Sequence, residues 1–330
     1  MIEKDRFLPI RIQKNHALLK RISKNHPKRP DIESDQTRRL AGYKGEQAVD
    51  FHLRKLPVKE YIILHDLRLS NDKHFFQIDT LLLNSNFALI LEVKNYSGTL
   101  YFDPDFNQLI QTNSKGEVKG YPNPIEQAAQ QCAELKKWLQ KRNAAIPIEF
   151  LVIISKPSTI LKAAPGYAKM LQKVQHVQFL LKSIEKVKSA YRNEIFILKD
   201  LKKISRALIK EHTPLSFDIL EYYGIPPADI QTGVICKSCS HRPMKRHFGT
   251  WFCLKCQSKD KEAHLHAVKD IFLLNNHAPL TNQKICGFLN LPSGDIAKKL
   301  LTSMQLPYSG TKKGRVYLPP PACQQIKNLE

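Results

Sequence analysis

Phe75-Phe76-Gln77-Ile78-Asp79-Thr80-Leu81-Leu82-Leu83 and Phe87-Ala88-Leu89-Ile90-Leu91-Glu92-Val93-Lys94 decide how this chain folds. Both are apolar runs of strand length, and Asn84-Ser85-Asn86 between them is a turn signal. The spacing predicts an antiparallel hairpin in which Leu83 pairs with Ala88 across a four-residue loop. That register sets Asp79 opposite Glu92. Glu92 and Lys94 alternate with Val93, so both project from one face of their strand. A charged group inside an apolar strand needs a reason. Two facing carboxylates repel unless something positive lies between them, and a hard divalent cation suits carboxylate oxygens. Such a cation would hold a scissile phosphate, with Lys94 orienting water or stabilising developing charge. A plain Glu92–Lys94 ion pair at a sheet edge is the competing reading.

Five ordered motifs carry a family resemblance. They are Gly42-Tyr43-Lys44-Gly45-Glu46, His65-Asp66-Leu67, Gln77-Ile78-Asp79, Ile90-Leu91-Glu92-Val93-Lys94-Asn95 with Gly98, and Asn123-Pro124 with Gln127. Over roughly residues 38–160 the chain resembles the nuclease-related domain, NERD, of the PD-(D/E)xK nuclease superfamily. The resemblance implies an α/β, restriction-endonuclease-like mixed sheet flanked by helices. It also implies a catalytic set of Glu46, Asp79, Glu92, Lys94 and Gln127, with Asp79 and Glu92 holding Mg²⁺ or Mn²⁺. Against this, Glu46 could be a solvated helix residue, Gln127 simply surface, Gly42 and Gly45 markers of a helix start, and Asp66 the cap of a turn after its strand.

Outward from the hairpin, Tyr61–Leu64, Thr99–Phe102, Glu149–Ser155 and Val177–Leu181 read as further strands. Helices are expected over Arg38–Leu56, Ser183–Tyr191 and Leu198–Glu211. Another starts at Asn123, which caps, followed by Pro124 at the first helical position and Glu126 at capping-box spacing. Residues 1–37 read as a basic arm, with a short helix near His16–Ile22.

Cys236-Lys237-Ser238-Cys239 and Cys253-Leu254-Lys255-Cys256 are two Cys-x-x-Cys knuckles, which together complete tetrahedral Zn²⁺ coordination. The segment resembles a zinc ribbon. Arg242, Lys245, Arg246, His247, Phe248 and Trp251 lie between the knuckles, and cations interleaved with aromatics suit phosphate contact and base stacking. Packing of Phe248 or Trp251 over the metal is the alternative. Beyond residue 259 come three helices and a hairpin: Ala263–Leu274, a helix capped by Thr281, Gly294–Met304 capped by Ser293, then Tyr308–Leu318. This resembles a winged helix-turn-helix. Lys298 and Lys299 would enter a groove, and Lys312, Lys313 and Arg315 would touch phosphate.

The 330 residues suggest about two domains. The motifs divide them further: an arm (1–37), a NERD domain (38–200), a linker (201–233), a zinc ribbon (234–258) and a winged-helix-like domain (259–330). Lys and Arg number 52 against 30 acidic residues, a net charge of +22, which points to an acidic partner such as nucleic acid. Residues 236–330 hold 15 basic and 5 acidic side chains, net +10, so the excess concentrates there. An odd count of seven cysteines argues against a disulfide framework; Cys132, Cys286 and Cys323 read as buried thiols. No apolar run approaches membrane-spanning length and no secretion signal is visible, so the expectation is a cytoplasmic protein with no membrane partner. The reading that unites these features is a metal-dependent nuclease acting on DNA. A catalytically inactive, nuclease-like DNA-binding or regulatory protein is the alternative, and protein partners are unknown.

Overall fold

The structure is a computed structural model that describes residues 1–319 except Lys73, Pro165, Gly166 and residues 168–170. Cys323 therefore lies outside the described residues, as does the side chain of Lys313. The chain divides into two compact units: Met1–Arg6 with Leu40–Leu215, and Phe7–Arg39 with Ser216–Glu330. In chain order come β1 (Ile2–Lys4), α1 (Ile10–Arg21), α2 (Arg29–Leu53), β2 (Ile62–Asn71), β3 (His74–Leu83) and β4 (Ala88–Lys94). Then follow β5 (Thr99–Asp103), β6 (Gln108–Thr112), β7 (Val118–Pro122), α3 (Pro124–Gln140), β8 (Ile148–Ile154), β9 (Ile160–Ala163) and β10 (Val174–His176). Next are α4 (Leu180–Ala190), α5 (Leu198–Glu211), α6 (Ile219–Tyr223), β11 (Lys245–His247), β12 (Thr250–Phe252) and β13 (Lys259–Asp260). The last are α7 (His264–Leu274), β14 (Leu280–Thr281), α8 (Asn282–Leu289), α9 (Gly294–Ser303), β15 (Tyr308–Ser309) and β16 (Val316–Tyr317).

The first unit is a mixed α/β fold. Its main sheet runs β1-β2-β3-β4-β8-β10. β2, β3 and β4 are antiparallel, whereas β1 on β2, β4 on β8 and β8 on β10 are parallel. β4 is covered on both faces, which is why it reads as an unbroken apolar run rather than an alternating one. Leu89 and Leu91 pack with Val49 and Leu53 of α2 and Ile184 of α4. Ala88 and Ile90 pack with Leu135, Trp138 and Leu139 of α3. Leu83 pairs with Ala88, the register that the turn and the apolar runs predict. A second sheet, β7-β6-β5-β9, packs Leu100, Phe102 and Leu109 against Ile125 and Ala128 of α3. Asn123 caps α3 by accepting from the Ile125 N–H.

Several elements differ from the sequence reading. Residues 1–37, read as a basic arm with a short helix near His16–Ile22, hold a longer helix there, α1, together with β1 and the start of α2. α2 begins at Arg29, well before Arg38, and ion pairs from Arg38 and Arg39 back to Asp35 support its polar first half. Gly42 and Gly45 therefore lie inside a helix, not at its start. The expected strand Val177–Leu181 is a 3₁₀ turn leading into α4. Val177, Leu180 and Ile184 bury together at spacings of three and four, which is a helical period. β2 extends to Asn71, so Asp66 sits within a strand rather than after it.

In the second unit, Ala17, Leu18 and Ile22 of the α1 region pack with Ile219, Tyr223, Leu273 and Leu274. A second cluster joins Val234, Cys236, Met244, Trp251 and Cys253 to Ala267, Phe272, Ile285, Leu301 and Tyr317. The two-knuckle segment therefore shares its core with the helices that follow it. Thr281 and Ser293 cap α8 and α9 through their side-chain oxygens, as their positions predict. β14, β16 and β15 form a three-stranded sheet in that order. Among the described residues no helix is long and apolar enough to cross a membrane.

Gly45 lets α2 approach the ends of β4 and β8. A Cβ there would lie 2.6 Å from Asn95 Cβ and 2.8 Å from Ser155 Oγ, while a Cβ at Gly42 meets nothing within 4 Å. The two alanine substitutions should therefore differ in sign. Gly42→Ala should gain up to about 1 kcal/mol from helix propensity. Gly45→Ala should lose about 1–3 kcal/mol from overpacking. Chemical denaturation of both variants measures this, and a stabilised Gly45→Ala would refute the close approach.

Candidate active site and metal centre

The β3–β4 ladder stops at Thr80 and Leu91, one pair short of Asp79 and Glu92. Asp79 does not continue it. Its Oδ2 accepts a hydrogen bond of 2.9 Å from the Val93 N–H, so a carboxylate replaces the next backbone partner. A change of facing in β2 and β3 accompanies this. Ile62, Leu64, Leu81 and Leu83 face the α3 layer, and so do Leu67, Leu69 and Ile78 farther along. Even numbering gives way to odd in β2, and odd to even in β3, while the register between the strands is unchanged. Each strand thus carries one extra residue across positions 65–66 and 79–80, and Asp66 there has a φ of +50°. The distortion frees Asp79 from ordinary strand geometry and turns its side chain into the gap beside β4.

Glu92 and Lys94 project together, as strand alternation requires. Lys94 Nζ donates to Glu92 Oε1 at 2.6 Å and to Gln127 Oε1 at 2.9 Å. Gln131 Nε2 donates to Glu92 Oε2 at 2.7 Å. Gln127 and Gln131 are one turn apart on α3, so the helix presents both amides to the sheet. Glu92 is almost wholly buried; Asp79 and Lys94 are half-buried.

Glu46 comes from α2 and is no solvated helix residue. It accepts from Nη1 of Arg6, whose Nε and Nη2 also bind Asp50 and whose Nη2 reaches Thr80 Oγ1 and the Asp79 carbonyl. Arg6 is buried, and its guanidinium supplies the positive charge on this side. Asp66 accepts from Gln77 Nε2. Sequence reasoning missed Arg6, which it placed in a basic arm, and Gln131, whose spacing from Gln127 was the available signal.

Crowded negative charge sets the protonation of the site. Burial, then Glu92 and Glu46, push the Asp79 carboxyl well above the usual carboxylate range. Burial raises Glu46 to about 7 against the opposing Arg6 charge, with Asp66, Asp50 and Glu92 adding to the rise. Burial alone would lower Lys94, but the Glu92 carboxylate outweighs it and keeps the ammonium charged. His65, packed behind Thr80, is driven down to about 3 by burial and by Arg6 and Lys4. Among the described residues, the one group of three or more potential metal ligands is the cysteine cluster, so the carboxylates here do not form a ready-made ligand trio. A two-carboxylate site still fits Mg²⁺, which keeps several waters and takes one or two carboxylates plus substrate phosphates.

The four knuckle cysteines do converge, with all four sulfurs within 4.8 Å of one another. Cys236 and Cys256 Sγ are 3.6 Å apart, Cys239 and Cys253 Sγ 3.5 Å. Four thiolates at about 2.3 Å from a tetrahedral zinc stand about 3.8 Å apart, so the cluster fits a structural Zn²⁺. The two knuckles repeat one geometry. Ser240 N–H bonds the Cys236 carbonyl and Gln257 N–H the Cys253 carbonyl; Cys236 N–H bonds His241 O and Cys253 N–H bonds Ser258 O. Ser240 and Gln257 both have positive φ. Burial would raise the Cys236 thiol, but the Ser258 hydroxyl and nearby backbone N–H groups bring it down to about 6, which favours the ligating thiolate.

The remaining candidates scatter. Trp251 is fully buried and donates from Nε1 to His264 Nδ1, so it cannot stack on a base. Arg246 lies over the Trp251 ring at 5.3 Å, and Arg242 donates to the Lys20 carbonyl. Lys245, Lys298, Lys299 and Lys312 are exposed. Arg315 packs on Tyr308 at 4.1 Å, and the Lys313 side chain lies outside the described residues. Cys132 and Cys286 are only partly buried.

Two predictions follow from these charges and sulfurs. A carboxyl raised in the fold favours its neutral form, so it contributes stability below its unfolded pKa, and that contribution is lost as pH rises through the folded value. His65 acts in the opposite sense, but only below about pH 6.5. Cys236, brought down to about 6, acts in the opposite sense across pH 6.5–8 but equally in wild type and Glu46→Gln, so the difference between the two proteins isolates Glu46. Without Mg²⁺, wild type should lose stability relative to Glu46→Gln as pH rises from 6.5 to 8, and a wild type that gains relative to Glu46→Gln over this window in paired thermal melts would refute the assignment. For the cysteines, Cys236→Ser or Cys253→Ser should lose bound zinc, measured by metal analysis. Each should also destabilise the shared core from Val234 to Tyr317, seen as lost amide-exchange protection in α7 as well as in the knuckles. Protection lost only between residues 234 and 258 would show a separate core instead.

No curated protein matches the chain. Its residues 41–155 match the model of the family described as Nuclease-related domain, NERD, a span that starts just before Gly42 and ends at Ser155 beside Gly45 and Asn95. Glu46, Asp79, Glu92, Lys94, Gln127 and Gln131 all fall within it, whereas Arg6 and the four zinc-site cysteines do not. Over residues 41–155 the chain is similar to nuclease-related domains.

Proposed function

We propose that the protein is a metal-dependent nuclease that hydrolyses phosphodiester bonds in DNA, with its second unit holding the nucleic acid. The observation that carries this reading is the junction of Asp79, Glu92 and Lys94 at the point where β3 and β4 part. Asp79 and Glu92 would hold Mg²⁺ or Mn²⁺, with Glu46 as a further acidic neighbour. The bound ion would polarise a phosphoryl oxygen and lower the pKa of bound water. The protein's own groups do the rest. The protonated Lys94 donates toward charge that develops on a phosphate, and Gln127 fixes the ammonium from the helix side. Gln131 holds the Glu92 carboxylate so that Lys94 does not swing it away. Val93 N–H anchors one oxygen of Asp79.

In the second unit, α8 and α9 with β14, β16 and β15 read as a winged helix-turn-helix. Exposed Lys298 and Lys299 on α9 would reach a groove, with Lys312 on the phosphate backbone. One observation favours the alternative of an inactive, nuclease-like DNA-binding protein: both Glu92 oxygens already have protein donors.

Purified full-length protein incubated with Mg²⁺ or Mn²⁺ and linear, nicked, single-stranded and branched DNA separates the two readings. Cleavage should require the metal. Asp79→Asn and Lys94→Ala should each reduce it by about 100-fold or more while DNA binding persists. Wild-type protein that cuts no DNA or RNA with either metal would leave only the binding reading.

A further inference from the structure

The hairpin between the two knuckles has an inner and an outer face. β11 and β12 pair Arg246 with Trp251, and β12 and β13 pair Trp251 with Asp260; this row faces the core. The neighbouring row is Lys245, Phe252 and Lys259, with Phe252 half-buried and both lysines exposed. The pair His247–Thr250 closes the ladder and leaves Phe248-Gly249 as a two-residue turn, with φ of +42° and +78°.

A turn with positive φ at both positions favours Asn-Gly or Asp-Gly, because a bulky side chain strains there. Among the described residues twelve non-glycine positions have positive φ, and Phe248 is the only apolar one. Phe248 as a whole is 94% exposed, so no core contact offsets that strain. Its one ring neighbour is His247, edge-on with centroids 4.2 Å apart. The fold thus holds a bare aromatic ring at a turn tip where asparagine would fit better. Strain without local compensation points to a ligand. The cationic row beside it, in a segment of net charge +10, selects a polyanion with flat apolar faces.

We propose that Phe248 stacks on an unpaired base of a nucleic-acid strand whose phosphates run along Lys245 and Lys259. The ring takes the role that the sequence offered to Trp251, whose indole is buried instead. An unpaired base is required because a paired base has both faces occupied by its neighbours in the duplex. This inference rests on the reading that the second unit binds nucleic acid, and goes beyond it in naming the contact and the strand form.

The test uses full-length, zinc-loaded protein and measures binding of a labelled single-stranded DNA and of the blunt duplex of the same sequence. Phe248→Asn should weaken single-strand binding about tenfold and leave duplex binding within about twofold. It should melt no lower than wild type, since asparagine suits the turn. Phe248→Trp should bind the single strand at least as well as wild type. Unchanged single-strand affinity in Phe248→Asn with duplex binding intact would overturn the stacking contact and spare the wider reading. An equal loss on both forms would overturn the unpaired-base requirement. Wild-type protein that binds neither DNA would overturn both the contact and the reading beneath it.

Discussion

The first unit turns on one hydrogen bond, from the Val93 N–H to Asp79 Oδ2. Where β3 and β4 separate, the Val93 N–H loses its strand partner, and a buried donor left unpaired is costly. Asp79 supplies the acceptor from its side chain rather than its backbone. That substitution requires the strand to change facing, which the paired distortion at residues 65–66 and 79–80 provides. The same geometry that satisfies Val93 fixes a carboxylate at the end of a sheet covered on both faces. Sheet termination and site construction are thus one event.

Charge then has to be balanced. Glu46, Asp50, Asp66, Asp79 and Glu92 influence one another, and Arg6 and Lys94 are the cations that answer them. The two cations work differently. Arg6 is a rigid fork spread over Asp50, Glu46, Thr80 and the Asp79 carbonyl, and it ties the carboxylates to the backbone that positions them. Lys94 is a point charge held by two side chains, Glu92 and Gln127, and so it can be redirected. The negative groups remain in excess, and the raised Asp79 and Glu46 pKa values express that excess. A dication would relieve it where protons otherwise must.

The hairpin register, the alternation that joins Glu92 to Lys94, the Asn123 cap and the two cysteine knuckles were all legible, because each depends on local period or spacing. Arg6 was not. Its importance comes from contacts made about forty and more residues away, to Glu46, Asp50 and Thr80, and nothing near it in sequence marks them. The distortion at Asp66 was also hidden, since an added residue in each strand leaves the register unchanged while altering which face the side chains take. Val177–Leu181 misled because a short apolar run suits either period, and only its partners in the core chose the helical one. Trp251 and Phe248 show the same limit: the sequence offered both as aromatics between the knuckles, but only the pairing of β11 with β12 sorts which one faces inward.

In the second unit the metal site and the apolar core are continuous, and this shapes what the outer surface is able to do. Cys236 and Cys253 are buried members of the cluster that holds Trp251, Phe272 and Leu301. A hairpin flanked by four converging cysteines that fit a metal, and anchored by a buried indole, is rigid at its base. Rigidity there permits a strained residue at its tip, because the strain cannot relax by opening the strands. It would also lower the entropy lost in the proposed base stacking, since the ring and its cationic row are already placed. The inner row of the hairpin faces the core, and the outer row is left exposed to solvent. The division follows from strand alternation alone: one residue's shift in register would exchange Trp251 with its outward neighbours and destroy both.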